Sequence, residues 1–523
     1  MAGAIRHTLR LMRAAFVFGR EGAFAGVDPT GAPPPAVFIL RLGRLVARRD
    51  KASAPNRIAA ALSKLGPSYI KLGQFLATRP DVVGTEVARD LEHLQDRVAP
   101  FPQEVAVATV ESALGAPVSA IFTSFGPPIA AASIAQVHKA TVRTPDGEKA
   151  VAVKVIRPGV VRLFRRDLET MGFAARTAER LQPVRRLRPV AVVNELARSV
   201  ALELDLRMEA AALSEMAENT RLDLGFRVPA VDWERTARDV LVTDWVNGIP
   251  LADREAIDAA GHDRPALARL LIETFLKQAM RDGFFHADMH PGNLFVDASG
   301  AIIAVDLGLI GRLGPKERRF LAEILYGFIT RDYMRVARVH FEAGYVPPEQ
   351  SVQDFGQALR AIGEPIHNRT ASQISMARLL TQLFEVTELF QMQTRTELVL
   401  LQKTMVVVEG VARKLDPDLN IWSASEPTVR AFMTHALGPA GILEGAVDGI
   451  GRLGRALVEL PDILDRGERL ANRLEEAVVR GFPLAPESVH AIGEAEAKRA
   501  RLGQVAMWVA ALALVAIAVS VVY

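Results

Sequence analysis

Two short segments carry side chains suited to moving a phosphoryl group. In HADMHPGN, residues 286–293, Asp288 stands five positions before Asn293, and Asp306 opens the triplet Asp306-Leu307-Gly308 eighteen residues after Asp288. Phosphoryl transfer needs a carboxylate beside the acceptor hydroxyl, an amide oxygen able to ligate magnesium, and a second carboxylate joining the cation to phosphate. Asp288, Asn293 and Asp306 supply these in that order. A lone Asp beside a Gly is ordinarily a turn residue and a lone His ordinarily structural, so the signal lies in the ordered set.

The spacing follows the kinase catalytic-loop pattern H-x-D-x-x-x-x-N, with Asp-Leu-Gly where Asp-Phe-Gly is usual. Upstream, Lys154 lies in the β-branched run VAVKVI, placed to neutralise the α- and β-phosphates. Its flexible stem needs a carboxylate to hold it. Glu203 and Glu209 both qualify, but six helical residues turn about 600°, so the two cannot serve one lysine. Asp205 shares a helical face with Glu209, which leaves Glu203 for a second lysine, and Lys71 is the obvious one. The glycine-rich nucleotide loop is replaced by Ala130-Ala131-Ala132-Ser133, where each Cβ restricts positive φ and close backbone approach. A small-residue turn just before the first hairpin strand still predicts nucleotide contact. Ala485-Pro486-Glu487 is far beyond Asp306 and cannot close an activation segment; DLGLIGRLG runs directly into PKERRFLAEILYGF, so a platform for a peptide substrate is missing.

The positioning elements are legible in outline. Ile5, Leu9, Met12 and Phe16 fall at helical spacing beside Arg6, Arg10 and Arg13, an amphipathic basic helix suited either to an anionic membrane or to packing on the protein with its arginines solvated. Pro33 to Pro35 mark a linker. Residues 56–115 read as helical around LGPSYIKLGQFLATRPD, with Lys71 and Gln74 on one face. Strand runs flank Thr144-Pro145-Asp146-Gly147, a long helix is expected from about Asn194 to Asn219, and LVTDWV, 241–246, is a strand. Asp297-Ala298-Ser299-Gly300 joins a second hairpin, 294–296 with 301–308. The rest is mainly helical, including the Gly-, Leu- and Arg-rich run 437–480.

With 523 residues at 50% hydrophobic composition, the chain can bury a sizeable core. A net charge of +3 is too small to imply a nucleic-acid surface spread over the whole molecule, so local basic patches matter more, and zero cysteines exclude disulfides, thiolate metal ligation and a cysteine nucleophile. Arg6, Arg10, Arg13 and Arg20 interrupt any secretory signal. Gln504 to Tyr523 carries no charged side chain, enough for one transmembrane helix, and Lys498, Arg499 and Arg501 before it place the larger part on the cytoplasmic side.

Over roughly residues 50–420 the chain resembles the UbiB family of atypical kinases, also called aarF-domain or ABC-one kinases. The K-x-G-Q motif stands as Lys71-Leu72-Gly73-Gln74, the alanine-rich loop as Ala130 to Ser133, and E-x-D as Glu203-Leu204-Asp205. The resemblance implies an α+β, protein-kinase-like bilobal fold with added N-terminal helices over the active site and a C-terminal transmembrane helix. It pairs Lys71 with Glu203 and Lys154 with Glu209. It further implies ATP or ADP with Mg2+, membrane-associated ATPase activity and support of ubiquinone biosynthesis. The partners would be membrane lipids and quinone-biosynthesis intermediates or enzymes, at the inner (cytoplasmic) membrane. Bacterial members often carry two terminal membrane helices, whereas the apolar end here has length for one. The expected parts are a basic amphipathic segment and linker, 1–55; the helical K-x-G-Q extension, 56–115; an N-lobe, 116–250; a C-lobe, 251–415; a helical juxtamembrane region, 416–497; and the basic flank with its membrane helix, 498–523. Two other readings are a small-molecule kinase of the aminoglycoside or choline type, whose catalytic loop HADMHPGN also resembles, and a nucleotide-gated scaffold without useful turnover.

Overall fold

The computed structural model of the chain describes residues 2–23, 56–77, 79–84, 98–180, 188–367 and 396–437, with short runs of one to four residues between these stretches. Described residues up to Thr428 form one unit; a second, Val429–Trp508, is described only as far as Leu437. The apolar segment 504–523, its basic flank, Pro33 to Pro35, and residues 438–480 lie outside the described residues. Among the described residues no helix is long and apolar enough to cross a membrane.

A four-stranded antiparallel sheet, ordered β1 (Ser124–Ala131), β2 (Ala135–Thr144), β3 (Gly147–Ile156) and β5 (Val240–Asp244), supports the lysine. The β2–β3 turn closes where Thr144 donates its hydroxyl to the Gly147 carbonyl at 2.9 Å, and Gly147 takes a φ of 122° that a side chain would resist. Alternation then sorts the strand: Val151, Val153 and Val155 are buried with Val142, Val240 and Val242, and helix α4 (Gln103–Leu114) adds Ala106 and Val110 to that core. Lys154, between two of those valines, is sent to the other face.

Before the sheet, α1 (Ala2–Arg20), α2 (Arg57–Leu65) and α3 (Pro67–Ala77) form a helical cluster, with α1 packed on α2. Gly66, at φ 105°, and Pro67 break α2 from α3. After β3 come α5 (Val160–Ala178), α6 (Pro189–Glu203) and α7 (Leu206–Asn219). The single helix expected from 194 to 219 is thus two helices. The chain leaves the helical path at Leu204 and Asp205, where Asp205 is extended and its carboxylate accepts from the Arg207 backbone N–H. Side-chain competition for backbone donors makes Asp a helix starter, and here it restarts a helix in mid-run.

The second half is helical around short strands. Helix α8 (Arg264–Leu276) runs into a π turn, Lys277–Asp282, and then β7 (Phe284–His286). The expected hairpin is present as β8 (Leu294–Val296) and β9 (Ile302–Ala304), flanked by β6 (Ile249–Pro250) and β4 (Phe226–Arg227). Strand β10 (Ile310–Arg312) pairs with β7, and α9 (Pro315–Ile329) follows without a long loop. After α10 (Tyr333–Glu342) and α11 (Val352–His367), α12 (Thr396–Leu415) packs back on α8.

Candidate nucleotide site

Lys154 is the meeting point of the site. Its ammonium donates to both Glu209 oxygens, at 2.8 and 2.9 Å, and to Asp306 Oδ2 at 3.1 Å. Burial alone would lower the pKa of this ammonium; the charges of Asp306 and Glu209 outweigh that and hold it well above the ordinary lysine value. Burial also raises the Glu209 carboxyl, to about 7, against the pull of Lys154 and with a push from the negative charges of Asp306 and Glu203. Asp306 goes the other way. Burial opposes its ionisation, but the Lys154 charge and the Gly308 N–H hold it well below the usual carboxylate range. That N–H donates to Asp306 Oδ1 at 2.9 Å, and a Cβ on Gly308 would lie 3.1 Å from the same oxygen, so glycine lets the backbone approach.

The Asp288 loop is held residue by residue. Gln278, brought round by the π turn, accepts from the His286 N–H at 3.1 Å; Thr404 on α12 donates to the Ala287 carbonyl at 3.0 Å; the Asp288 N–H donates to His286 Nδ1 at 3.4 Å. Asn293 Nδ2 donates to the Asp288 carbonyl at 3.2 Å, and the Asn293 carbonyl accepts from the Val305 N–H at 3.0 Å, which ties this loop to the residue before Asp306. The Asp288 carboxylate stays open, 48% exposed, while that of Asp306 is partly exposed with both oxygens engaged by Lys154 and Gly308.

Ala130 to Ser133 lie just before β2, the first strand of the β2–β3 hairpin, as the sequence suggests, and a further strand, β1, leads into them. Ala130 and Ala131 end β1, and the segment forms the β1–β2 turn, where the Ala132 N–H donates to Ala135 at 2.8 Å. Arg157 fixes this turn by donating to the Ala132 and Ala99 carbonyls. Ala130 pairs with Val137 and Val137 with Lys154, so turn and lysine share one face two strand spacings apart, about 10 Å.

Lys71 reaches Glu203 at 2.5 Å, while Arg79 pairs with Glu195 at 2.8 Å, a second clamp between the K-x-G-Q region and α6. Glycine at 73 is required by packing: a Cβ there would meet Leu94 Cδ1 at 2.2 Å and Leu62 Cδ1 at 2.7 Å. Gln74 is half-buried on the same helix. Asp205 does not share a helix with Glu209; it caps α7 and pairs with Arg207 at 2.7 Å. Sequence reasoning missed Gln278, Thr404, Arg157 and the Arg79–Glu195 pair. Arg79, one position before Pro80, and Arg157, directly after VAVKVI, sat beside segments already singled out.

A strand lysine held by a helix carboxylate, with an Asp-and-Asn loop and an Asp-Leu-Gly turn following in that order, defines a protein-kinase-like fold. The chain belongs to the ABC1 atypical kinase-like, or UbiB, family. Residues 93–340 match the ABC1 atypical kinase-like domain and residues 359–420 the UbiB helical domain, which contains Thr404. The chain is 42% identical over 442 residues to the "Probable protein kinase UbiB" of Marinobacter nauticus, covering 83% of this chain and 80% of that one. Among solved structures it is similar to Rv3197 of Mycobacterium tuberculosis, a complex with erythromycin, at a TM-score of 0.50 and 27% identity over 71% of this chain and 94% of that chain.

Proposed function

We propose that the chain is a membrane-anchored, atypical kinase-like ATPase that binds ATP or ADP with magnesium and supports ubiquinone biosynthesis. The observation that carries this reading is the joining of Lys154 to both Glu209 and Asp306, the arrangement a triphosphate site needs. Lys154 would hold the α- and β-phosphates with Glu209 fixing its stem. Magnesium keeps several waters and binds through one or two protein oxygens together with substrate phosphates. Asp306 and Asn293 fit it: Asn293 Nδ2 is engaged by the Asp288 carbonyl, so its Oδ1 is the atom able to ligate. When bound, magnesium would neutralise phosphate charge, while Asp288 would accept the proton of the attacking water or hydroxyl.

The short path from Gly308 to α9 favours water or a small acceptor over a polypeptide. The K-x-G-Q helices, clamped to α6, would cover the site with Lys71, Gln74 and Glu203. The apolar segment 504–523 would anchor the chain in the inner membrane with the catalytic part facing the cytoplasm, among quinone intermediates or their enzymes. Calorimetric titration of the full-length protein in detergent with Mg-ATP tests the site: Asp306→Asn should abolish measurable binding, and undiminished affinity would show the assignment to be wrong. Deleting the gene and profiling quinones tests the pathway. An early prenylated phenol should accumulate; an unaltered quinone pool would remove that part of the proposal.

A further inference from the structure

Helix α1 presents two apolar faces, and among the described residues one is covered while the other stays exposed. Leu11, Ala14 and Phe18 are buried; Leu11 packs with Ala174 on α5, His7 stacks on Phe173 at 5.4 Å, and its ring lies 3.0 Å from the Thr170 hydroxyl. Its C-terminal end is pinned by Lys64, which donates to the buried Glu21 at 2.5 Å. The helix is therefore fixed in rotation. On the opposite side Ile5, Leu9, Met12 and Phe16 are 58%, 60%, 50% and 52% exposed. They form one continuous stripe, about 16 Å from first to last at 1.5 Å rise per residue.

The charges beside that stripe select its partner. Arg6, Arg13 and Arg20 are exposed and follow the same helical line, about 70° round from the apolar residues, and no acidic residue occurs from Ala2 to Arg20. We infer that the outer face of α1, Ile5-Leu9-Met12-Phe16 bordered by Arg6, Arg13 and Arg20, docks on the anionic surface of a lipid bilayer. An apolar stripe flanked by arginines matches the boundary between acyl chains and headgroup phosphates. A second copy of the chain would bring the same arginines against one another. Nucleic acid offers phosphates but nothing to cover a row of Ile, Leu, Met and Phe. Of the two sequence readings of this helix, packing on the protein is seen on the side that faces α5, and lipid contact is the inference drawn for the other side.

This inference is independent of the nucleotide site and of the C-terminal anchor. It is tested with the full-length protein, whose lack of cysteine allows a single reporter to be introduced. Leu9→Cys, carrying an environment-sensitive fluorophore, is reconstituted in vesicles of phosphatidylglycerol and phosphatidylethanolamine or of phosphatidylcholine alone; Asp146→Cys, at the exposed β2–β3 tip, is the control. The reporter at position 9 should shift to the blue and lose access to an aqueous quencher in the anionic vesicles. Replacing Arg6, Arg13 and Arg20 by Gln should weaken docking roughly five-fold for each arginine. Equal quenching in both lipids, an equal response at position 146, or protection that follows protein density instead of lipid charge would overturn the inference. The last outcome would indicate contact with another protein. Mg-ATP binding is measured on the same samples, so loss of the nucleotide site and loss of lipid contact are read separately.

Discussion

The hydroxyl of Thr404 lies 3.0 Å from the carbonyl of Ala287, so a helix of the UbiB helical domain grips the residue next to Asp288. The same hydroxyl is 2.8 Å from the Leu400 carbonyl, so one proton is shared between the helix and the loop. Thr404→Val keeps the shape and removes the donor, leaving a buried carbonyl without it at a cost of about 1–3 kcal/mol. Melting temperature should fall, and nucleotide turnover should fall on the order of ten-fold as the loop loses its register. Thr404→Ser should restore both. Unchanged turnover in the valine variant would mean that α12 does not position Asp288.

Two lysines and two glutamates form two separate pairs, and double-mutant cycles can show it. Coupling between Lys71 and Glu203, and between Lys154 and Glu209, should reach about 1 kcal/mol or more in unfolding experiments. Lys71 with Glu209 should couple more weakly, since Glu209 is bonded to Lys154 and Lys71 to Glu203. Crossed coupling as large as that within pairs would contradict the arrangement.

Asp205 acts through the backbone. Asp205→Ala should destabilise the protein by about 1 kcal/mol by uncapping α7, whereas Asp205→Asn should be nearly silent. Its side-chain pair with the exposed Arg207 adds little. Thermal unfolding of both variants checks this, and equal losses would point to the charge instead of the cap.

Acid should destabilise the fold through two buried histidines, His138 and His286, and the half-buried His340. Burial lowers the pKa of His138, His286 and His340. His286 Nδ1 accepts from a backbone N–H, and His138 Nε2 accepts from Gln136, so protonation would break both bonds. In the unfolded chain these rings take up protons near pH 6.5. Below that pH the unfolded state binds more protons, so stability declines as pH falls, by up to roughly 1 kcal/mol per histidine per pH unit. Melting temperature should drop between pH 7 and pH 5.5, and His138→Gln should flatten the slope. A flat profile would count against neutral buried rings.

The chemistry-bearing residues were legible because phosphoryl transfer demands particular groups at fixed local spacing: Asp288, Asn293 and Asp306 lie on adjoining loops. The strands around Lys154 announced themselves through alternating valines and the Pro-Asp-Gly turn. Thr404 was not legible, because a threonine in a long apolar helix carries no local mark of a loop more than a hundred residues earlier. The division at Asp205 was hidden by helical periodicity continuing on both sides. A helix-starting residue is visible in a sequence only when something else signals that a start is needed.

That division gives the protein a joint. The Leu206 N–H bonds to the Arg238 carbonyl at 2.9 Å, just before β5, so the fulcrum is fastened to the sheet while the two rods leave it separately. One rod carries the glutamate that grips the K-x-G-Q lysine, the other the glutamate that grips the strand lysine. The two grips are therefore borne by separate helices that meet at one fastened point.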